Sequence, residues 1–404
     1  HSTETALLKV TSDILSALDN GDLASLALLD LSAAFDTVDH DILLRRMRVS
    51  YGIDGVALQW FRSYLGGRTQ FVKYRGCCSS KALVRYGIPQ GSVLGPILFV
   101  LYTADLVALI ESHGLSPHLY ADDAQILGSC CPTNTAVLRP RMETCIADVG
   151  GWMSSNRLQL NTAKTEVMWC SSARRRQQVP ADCFVIGPDS VQPIDCVRDL
   201  GLYLDTTMSM REHISRLTST CFGVLRQIRT IRRCLTSRAR NTLVTCFVFA
   251  RLDYCNSAFA GLSRCDLDRL QAVQNAAVRL VAGARKYDHV TPLLRDRHWL
   301  PVEQRIHFKI AVTVYKCLHG LSADYLSDFT RPSTASTVYS QRLRSADRQR
   351  LYVPRSNTRM GDRSFAVAGP STWNRLPATV TAAPSLAVFK KQLKTFLFAE
   401  AYSV

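Results

Sequence analysis

The chain has 404 residues, with 49 Lys and Arg against 33 Asp and Glu, 47 % hydrophobic and 20 % charged. That balance excludes a disordered chain, and the length calls for two or three domains around sizeable cores. No apolar run of membrane-spanning length and no signal-peptide pattern is read in it, so no membrane partner is expected.

The fourteen cysteines lack zinc-knuckle spacing and any C-x-x-C, which suggests reduced, mostly buried thiols in an intracellular protein. Charge is unevenly spread. Residues 206–404 hold 31 basic and 12 acidic side chains, whereas residues 1–205 hold 18 and 21. A basic half points to a polyanionic partner, the plainer alternative being a solvated arginine-rich surface.

In chain order, STETALLKVTSDILSALDNG reads as a capped amphipathic helix ending at Gly21, and LASLALLDLS as a buried strand with Asp30 at its end. Helices are expected from Asp39 to about Val49 and over DGVALQWFRSYLGGR, followed by a strand pair in TQFVKYRG and KALVRYG. IPQGSVLGPILFVLYTADLVALI is a Pro/Gly turn leading into a long apolar helix. Two strands flank Asp122 and Asp123, then a helix follows from about Asn134 to Asn156 and a strand around TEVMW. After about Asp205 the pattern becomes helical, and from Thr330 to Asn357 a Ser/Thr/Arg/Gln-rich stretch reads as a mobile basic linker. Helices on one face of a mainly antiparallel sheet make the first part α+β.

The chemistry concentrates in carboxylates. Asp122 and Asp123 are adjacent in HLYADDAQIL, and such a pair resists burial unless a cation lies between them. Asp30 also ends an apolar strand, so neighbouring strands could bring all three together as a hard oxygen site suited to Mg²⁺. Two such ions would clamp the attacking and leaving oxygens of a phosphoryl transfer. The bland alternative for Asp122-Asp123 is an ordinary hairpin turn.

Taken together, LLDLSAAFDTVDH, GIPQGSVLGPILF, YADD and LNTAKTE resemble, in order and spacing, the palm motifs of reverse transcriptases, most closely those of non-LTR (LINE-type), jockey-like retrotransposons. WMSSNRLQLNTAKTEVMW, VRDLGLYLD, RLDYCNS and HWLPVEQRIHFKIAVTVYKCLHG look like downstream parts of the same polyproteins. The resemblance implies a palm with partial fingers over 1–205, a basic helical thumb over 206–329, and a basic linker and C-terminal tail over 330–404. It implies Asp30, Asp122 and Asp123 as ligands of two Mg²⁺ ions, helped by the Leu31 carbonyl. Phe35 would lie under the sugar of the incoming deoxynucleotide and exclude a 2′-hydroxyl, and Pro89-Gln90-Gly91 would contact the nascent pair. Lys164 would protonate or neutralise the departing pyrophosphate, Leu200-Gly201 would grip the primer end, and His40 is read as structural.

The basic half would then hold an RNA–DNA duplex by its phosphates. LRQIRTIRRCLTSRAR places Arg226, Arg229, Arg232, Arg233, Arg238 and Arg240 so that several would share one helical face. The implied function is RNA-directed DNA synthesis from dNTPs onto a DNA 3′ end, templated by element RNA. Compared with the family, the upstream endonuclease and part of the fingers are expected to be missing. The expected location is nuclear at integration and cytoplasmic otherwise. Rival readings are a truncated, inactive copy that only binds RNA, and a viral-type RNA-dependent RNA polymerase, which would not need Phe35.

Overall fold

The computed structural model describes residues 2–330 and 350–402, so most of the expected linker lies outside the described residues. The chain forms two compact units. One, here the internal unit, comprises Leu23–Trp169 and Arg175–Asp195; the other, the terminal unit, comprises His1–Asp22, Cys170–Arg174 and Cys196–Val404.

The terminal unit opens with α1 (Thr3–Asp19), capped by Ser2, whose hydroxyl accepts from the Thr5 N–H. The internal unit begins with β1 (Leu23–Leu29), in which only Leu28 escapes full burial. Such a continuous small-apolar run can stand inside a sheet with both faces covered. Two helices follow, α2 (His40–Tyr51), capped by the Asp39 carboxylate, and α3 (Gly55–Leu65), capped by Asp54. The expected strand pair is present but short: β2 (Thr69–Gln70) pairs with β5 (Ala82–Leu83), and β3 (Lys73–Tyr74) with β4 (Cys77–Cys78) between them.

The apolar helix that follows the Pro/Gly turn is divided at Ala104 into α4 (Gly95–Thr103) and α5 (Asp105–Ser112). Gly95–Ser112 as a whole has 18 residues and a mean hydropathy of 1.5, which corrects the expectation that no apolar run reaches membrane-span length. Its Leu98, Phe99, Tyr102, Leu106 and Ile110 are buried in the internal unit's core, whereas Ile97, Val100 and Val107 are exposed.

Next come β6 (Ser116–Tyr120), β7 (Asp123–Cys130), α6 (Thr135–Ser155) and β8 (Glu166–Cys170). The sheet order is β6-β7-β1-β8, with β7 antiparallel to both β6 and β1. Leu138, Met142, Cys145, Val149 and Met153 form a buried stripe along α6. Burying each large apolar side chain of such a stripe stabilises the unit by about 1.5–3 kcal/mol. A small hairpin, β9 (Phe184–Ile186) with β10 (Asp189–Val191), completes the unit.

The terminal unit resumes with the hairpin of β11 (Cys196–Asp199) and β12 (Leu202–Asp205), then turns helical as expected. Its helices are α7 (Arg211–Thr230), α8 (Ser237–Val244), a π-turn into α9 (Ala250–Leu252), α10 (Arg264–Ala282), α11 (Val290–Asp296), α12 (Val302–Leu318), α13 (Asp324–Ser327), α14 (Phe365–Asn374), α15 (Ala378–Thr381) and α16 (Leu386–Tyr402). Tyr315, Trp373 and Phe389, one each from α12, α14 and α16, gather their rings in its core. The Asp19 carboxylate at the end of α1 accepts from the N–H groups of Asn357 and Thr358.

All fourteen cysteines are free, but six are exposed and five buried, so the expectation of mostly buried thiols is corrected. Cys77 and Cys78, in the exposed strand β4, account for two of the six.

Candidate active site

The carboxylates meet because of register. β1 pairs with β7 from Leu23↔Cys130 to Leu29↔Ala124, so one step further Asp30 comes opposite Asp123. β6 pairs with β7 up to Tyr120↔Asp123, which leaves Ala121 and Asp122 as a two-residue turn. Such turns need a positive φ at the first central position, and Ala121 supplies it without being glycine (φ +53°). A left-handed non-glycine residue is strained by about 1–3 kcal/mol.

The Asp123 carboxyl is pushed above its ordinary value, first by the protein crowding around it and then by the charges of Asp122 and Asp30. Its side chain nevertheless reaches solvent, beside the charges of Asp122 and Asp30.

On its other side Asp30 is held by the segment after α6. Leu31 and Leu160 form an isolated antiparallel bridge, Asn161 N–H donates to the Asp30 carbonyl at 2.9 Å, and Ser32 N–H donates to the Gln159 carbonyl at 2.9 Å. The Asn161 side-chain amide lies 3.4 Å from Asp30 Oδ2, and Lys164 Nζ lies 3.3 Å from the same oxygen. Three carboxylates and one ammonium therefore gather at one end of the sheet. Hard oxygens with uncompensated negative charge suit a divalent cation, so the residues fit one. Among the described residues no three His, Cys, Asp or Glu side chains are grouped so that they could hold a metal ion as they stand. Leu31 itself is core, 7 % exposed.

The second group is two loops laced together. Phe35 sits in a 3₁₀ turn (Ala34–Asp36), half-buried, its ring stacked on Phe99 with centroids 4.8 Å apart. Its carbonyl accepts from Ile88 N–H at 2.8 Å, and the Val38 carbonyl accepts from Gly87 N–H at 2.8 Å. Gln90 Nε2 donates to Asp36 Oδ1 at 3.0 Å. The Pro89 carbonyl is taken by Ser92 Oγ at 2.7 Å, and Gly91 has φ +73°. The Pro89–Gly91 turn is therefore fixed against the segment that carries Phe35. His40 acts structurally, with Nε2 2.8 Å from the Gly87 carbonyl.

Three participants were missed in the sequence: Asp36, Gly87 and Asn161. All lie inside or beside the quoted motifs. Only their polarity or small size could have marked them, because what they hold is far away in the chain.

In the terminal unit, Leu200 and Gly201 form the two-residue turn between β11 and β12, both at positive φ (+43° and +91°). Tyr254 OH donates to the Leu200 carbonyl at 2.6 Å. A Cβ on Gly201 would come within 3.2 Å of the Tyr254 ring. The single arginine-bearing helix is corrected. α7 stops at Thr230, Arg232 and Arg233 fall in a separate 3₁₀ turn, and Arg238 and Arg240 belong to α8. Only Arg226 and Arg229 share a helix face. Arg226, Arg229, Arg232, Arg233 and Arg238 are nevertheless exposed, while Arg240 is half-buried.

Residues 3–195 match the family described as reverse transcriptase (RNA-dependent DNA polymerase). The chain is 28 % identical over 316 residues to a probable RNA-directed DNA polymerase from transposon BS of Drosophila melanogaster, covering 76 % of this chain and 34 % of that protein. It is 26 % identical over 299 residues to the RNA-directed DNA polymerase from mobile element jockey of Drosophila funebris, covering 71 % and 31 %. Among solved structures it is similar to a telomerase from Candida albicans, with 14 % identity, a TM-score of 0.36, and 76 % and 52 % of the two chains covered. The chain thus spans about a third of the length of the curated relatives it matches. Residues 3–195, which hold the four-stranded sheet and its converging carboxylates, are thus similar to reverse transcriptases, and the longer matches are to RNA-directed DNA polymerases of mobile elements.

Proposed function

We propose that this chain extends a DNA 3′ end with deoxynucleotides on an RNA template, as the polymerase of a non-LTR retrotransposon. The observation that carries the reading is the strand register that sets Asp30 opposite Asp123, the neighbour of Asp122, with Lys164 against Asp30. Asp30, Asp122 and Asp123, with the Leu31 carbonyl, would hold two Mg²⁺ ions, which when bound supply charge stabilisation to the attacking and leaving oxygens. Lys164 would place a proton or a positive charge beside the departing pyrophosphate. Phe35 would close the space a 2′-hydroxyl needs, and Gln90, braced by Asp36, would meet the nascent pair.

The Leu200–Gly201 turn would press on the primer end. Arg226, Arg229, Arg232 and Arg233 would hold template and primer by their phosphates without reading sequence. Its partners would then be element RNA and target DNA, met in the nucleus at integration, with the protein cytoplasmic otherwise.

Primer extension tests the reading: the purified chain is given an RNA template, a DNA primer, dNTPs and Mg²⁺, beside an Asp122→Asn control. Elongation by the chain and none by the variant supports it. No elongation by a folded chain that still binds RNA–DNA hybrid would favour the RNA-binding-only reading.

A further inference from the structure

Two motifs that the proposed polymerase chemistry leaves unused, RLDYCNS (251–257) and HWLPVEQRIHF (298–308), meet in the terminal unit around one cavity of about 340 Å³. That size is within the range of small-ligand sites. Asn256 lines it from a 3₁₀ turn, is only 3 % exposed, and its Oδ1 meets no donor among the described residues. A buried carbonyl oxygen left without a donor costs free energy, so this position favours a ligand that brings an N–H.

The cavity also has flat apolar walls in Trp299 and Phe308. Trp299 is held in place: its carbonyl accepts from Tyr402 OH at 2.6 Å, and its ring meets Phe249 edge-on at 4.5 Å. The residue before it, His298, is left-handed (φ +52°), which marks a backbone held under strain at the cavity wall.

Three cations complete the lining, and they are not equally engaged. Arg305 is paired with Asp253, Nε to Oδ1 at 2.8 Å, and Lys309 with Glu4 at 3.0 Å. Lys394, on α16, is exposed and has no carboxylate partner among the described residues. One positive charge is therefore left over at the rim. A hydrogen-bond acceptor at the back, aromatic walls and a free cation at the mouth fit a flat ring bearing an N–H at one end and an anion at the other.

We propose that this cavity binds one nucleotide unit, its base against Asn256 and Trp299 and its phosphate at Lys394. The unit can be a free nucleotide or a nucleotide of single-stranded RNA, which share this chemistry. Nothing in the proposal depends on the palm carboxylates.

The test titrates the chain, in EDTA, with AMP, GMP, CMP, UMP, inorganic phosphate and a short single-stranded oligoribonucleotide, read by tryptophan fluorescence and calorimetry. Saturable binding of AMP, GMP, CMP or UMP, each of which brings a base N–H, is expected below about 1 mM, with phosphate alone at least about tenfold weaker. Lys394→Glu, an exposed change, should weaken nucleotide binding about tenfold or more. Asn256→Leu should do the same in a variant whose melting curve stays cooperative. Asp30→Asn should leave the binding unchanged, which separates this site from the palm. Tighter binding of the oligonucleotide than of free nucleotides identifies RNA as the source, and equal binding identifies the free nucleotide. No saturable binding by the folded chain, phosphate binding as tightly as nucleotides, or indifference to Lys394→Glu overturns the proposal.

Discussion

Lys164 Nζ lies 3.3 Å from Asp30 Oδ2, so the chain's own ammonium neutralises the carboxylate proposed to hold a metal ion. The two charges compete for one oxygen. Lys164→Met should therefore tighten Mn²⁺ binding, measured by electron paramagnetic resonance without substrate. Since both groups are partly exposed, the gain should be no more than about fivefold. Unchanged Mn²⁺ affinity would mean that the pair has no influence on the site.

Asp123 links the site to stability. Its folded carboxyl titrates above the unfolded value of 3.8. Below that value both states are protonated and the group has no effect on stability. As pH rises through the folded value the unfolded chain releases its proton first, so stability falls and stays lower at neutral pH. Asp123→Asn should stabilise the fold at pH 7 by under about 1 kcal/mol, because the side chain reaches solvent, and so raise the melting temperature. The difference from wild type should vanish in acid near the unfolded value. A variant equally stable with wild type at both pH values would show that Asp123 is not under repulsion.

Gly87 and Gly91 are both left-handed but differ in what surrounds them. A Cβ at Gly87 (φ +87°) would sit 2.9 Å from Asp36 Cα and carbonyl oxygen, whereas one at Gly91 (φ +73°) meets nothing within 4 Å. Gly91→Ala should cost about 1–2 kcal/mol, the ordinary left-handed penalty. Gly87→Ala should cost more, and should also lower primer extension by displacing Phe35 and Asp36. Equal denaturant midpoints for the two variants would contradict the close approach.

Phe35→Val should admit ribonucleotides about tenfold or more readily relative to deoxynucleotides, the scale on which a filled position discriminates. The readout is the ratio of single-nucleotide incorporation efficiencies. An unchanged ratio would reduce Phe35 to a ring packed on Phe99.

Replacing Arg226, Arg229, Arg232 and Arg233 with alanine should weaken RNA–DNA binding alike on every sequence. The slope of log affinity against log salt should flatten by about 0.7–0.9 per lost phosphate contact. An unchanged slope in a folded variant would remove these side chains from the nucleic-acid path.

The strand ends carrying Asp30, Asp122 and Asp123 were legible because an apolar run that stops at a carboxylate is a local pattern. Asp36 holding Gln90, and Asn161 holding Asp30, were not, because each bond joins segments 54 and 131 residues apart. The arginine helix was overextended because periodicity runs on through Ile231–Leu235, and the one local mark of the break, Thr236 capping α8 through the Ala239 N–H, is a weak signal in sequence. The length of the Gly95–Ser112 apolar run was underestimated because Asp105 and Glu111 interrupt it only locally.

The clasp between Asp19 and Asn357–Thr358 joins residues 338 and 339 positions apart. At about 5–20 residues per second, the ribosome needs roughly 17–70 s to deliver that partner after α1 has emerged. Throughout that interval the apolar face of α1, with Leu7, Leu8, Val10, Ile14 and Leu15, has no completed unit to enter. The internal unit, contained within residues 23–195, can finish first. A ribosome stalled before residue 357 would thus present a folded internal unit behind a helix whose apolar face is still uncovered, which makes nascent α1 a natural client for chaperones.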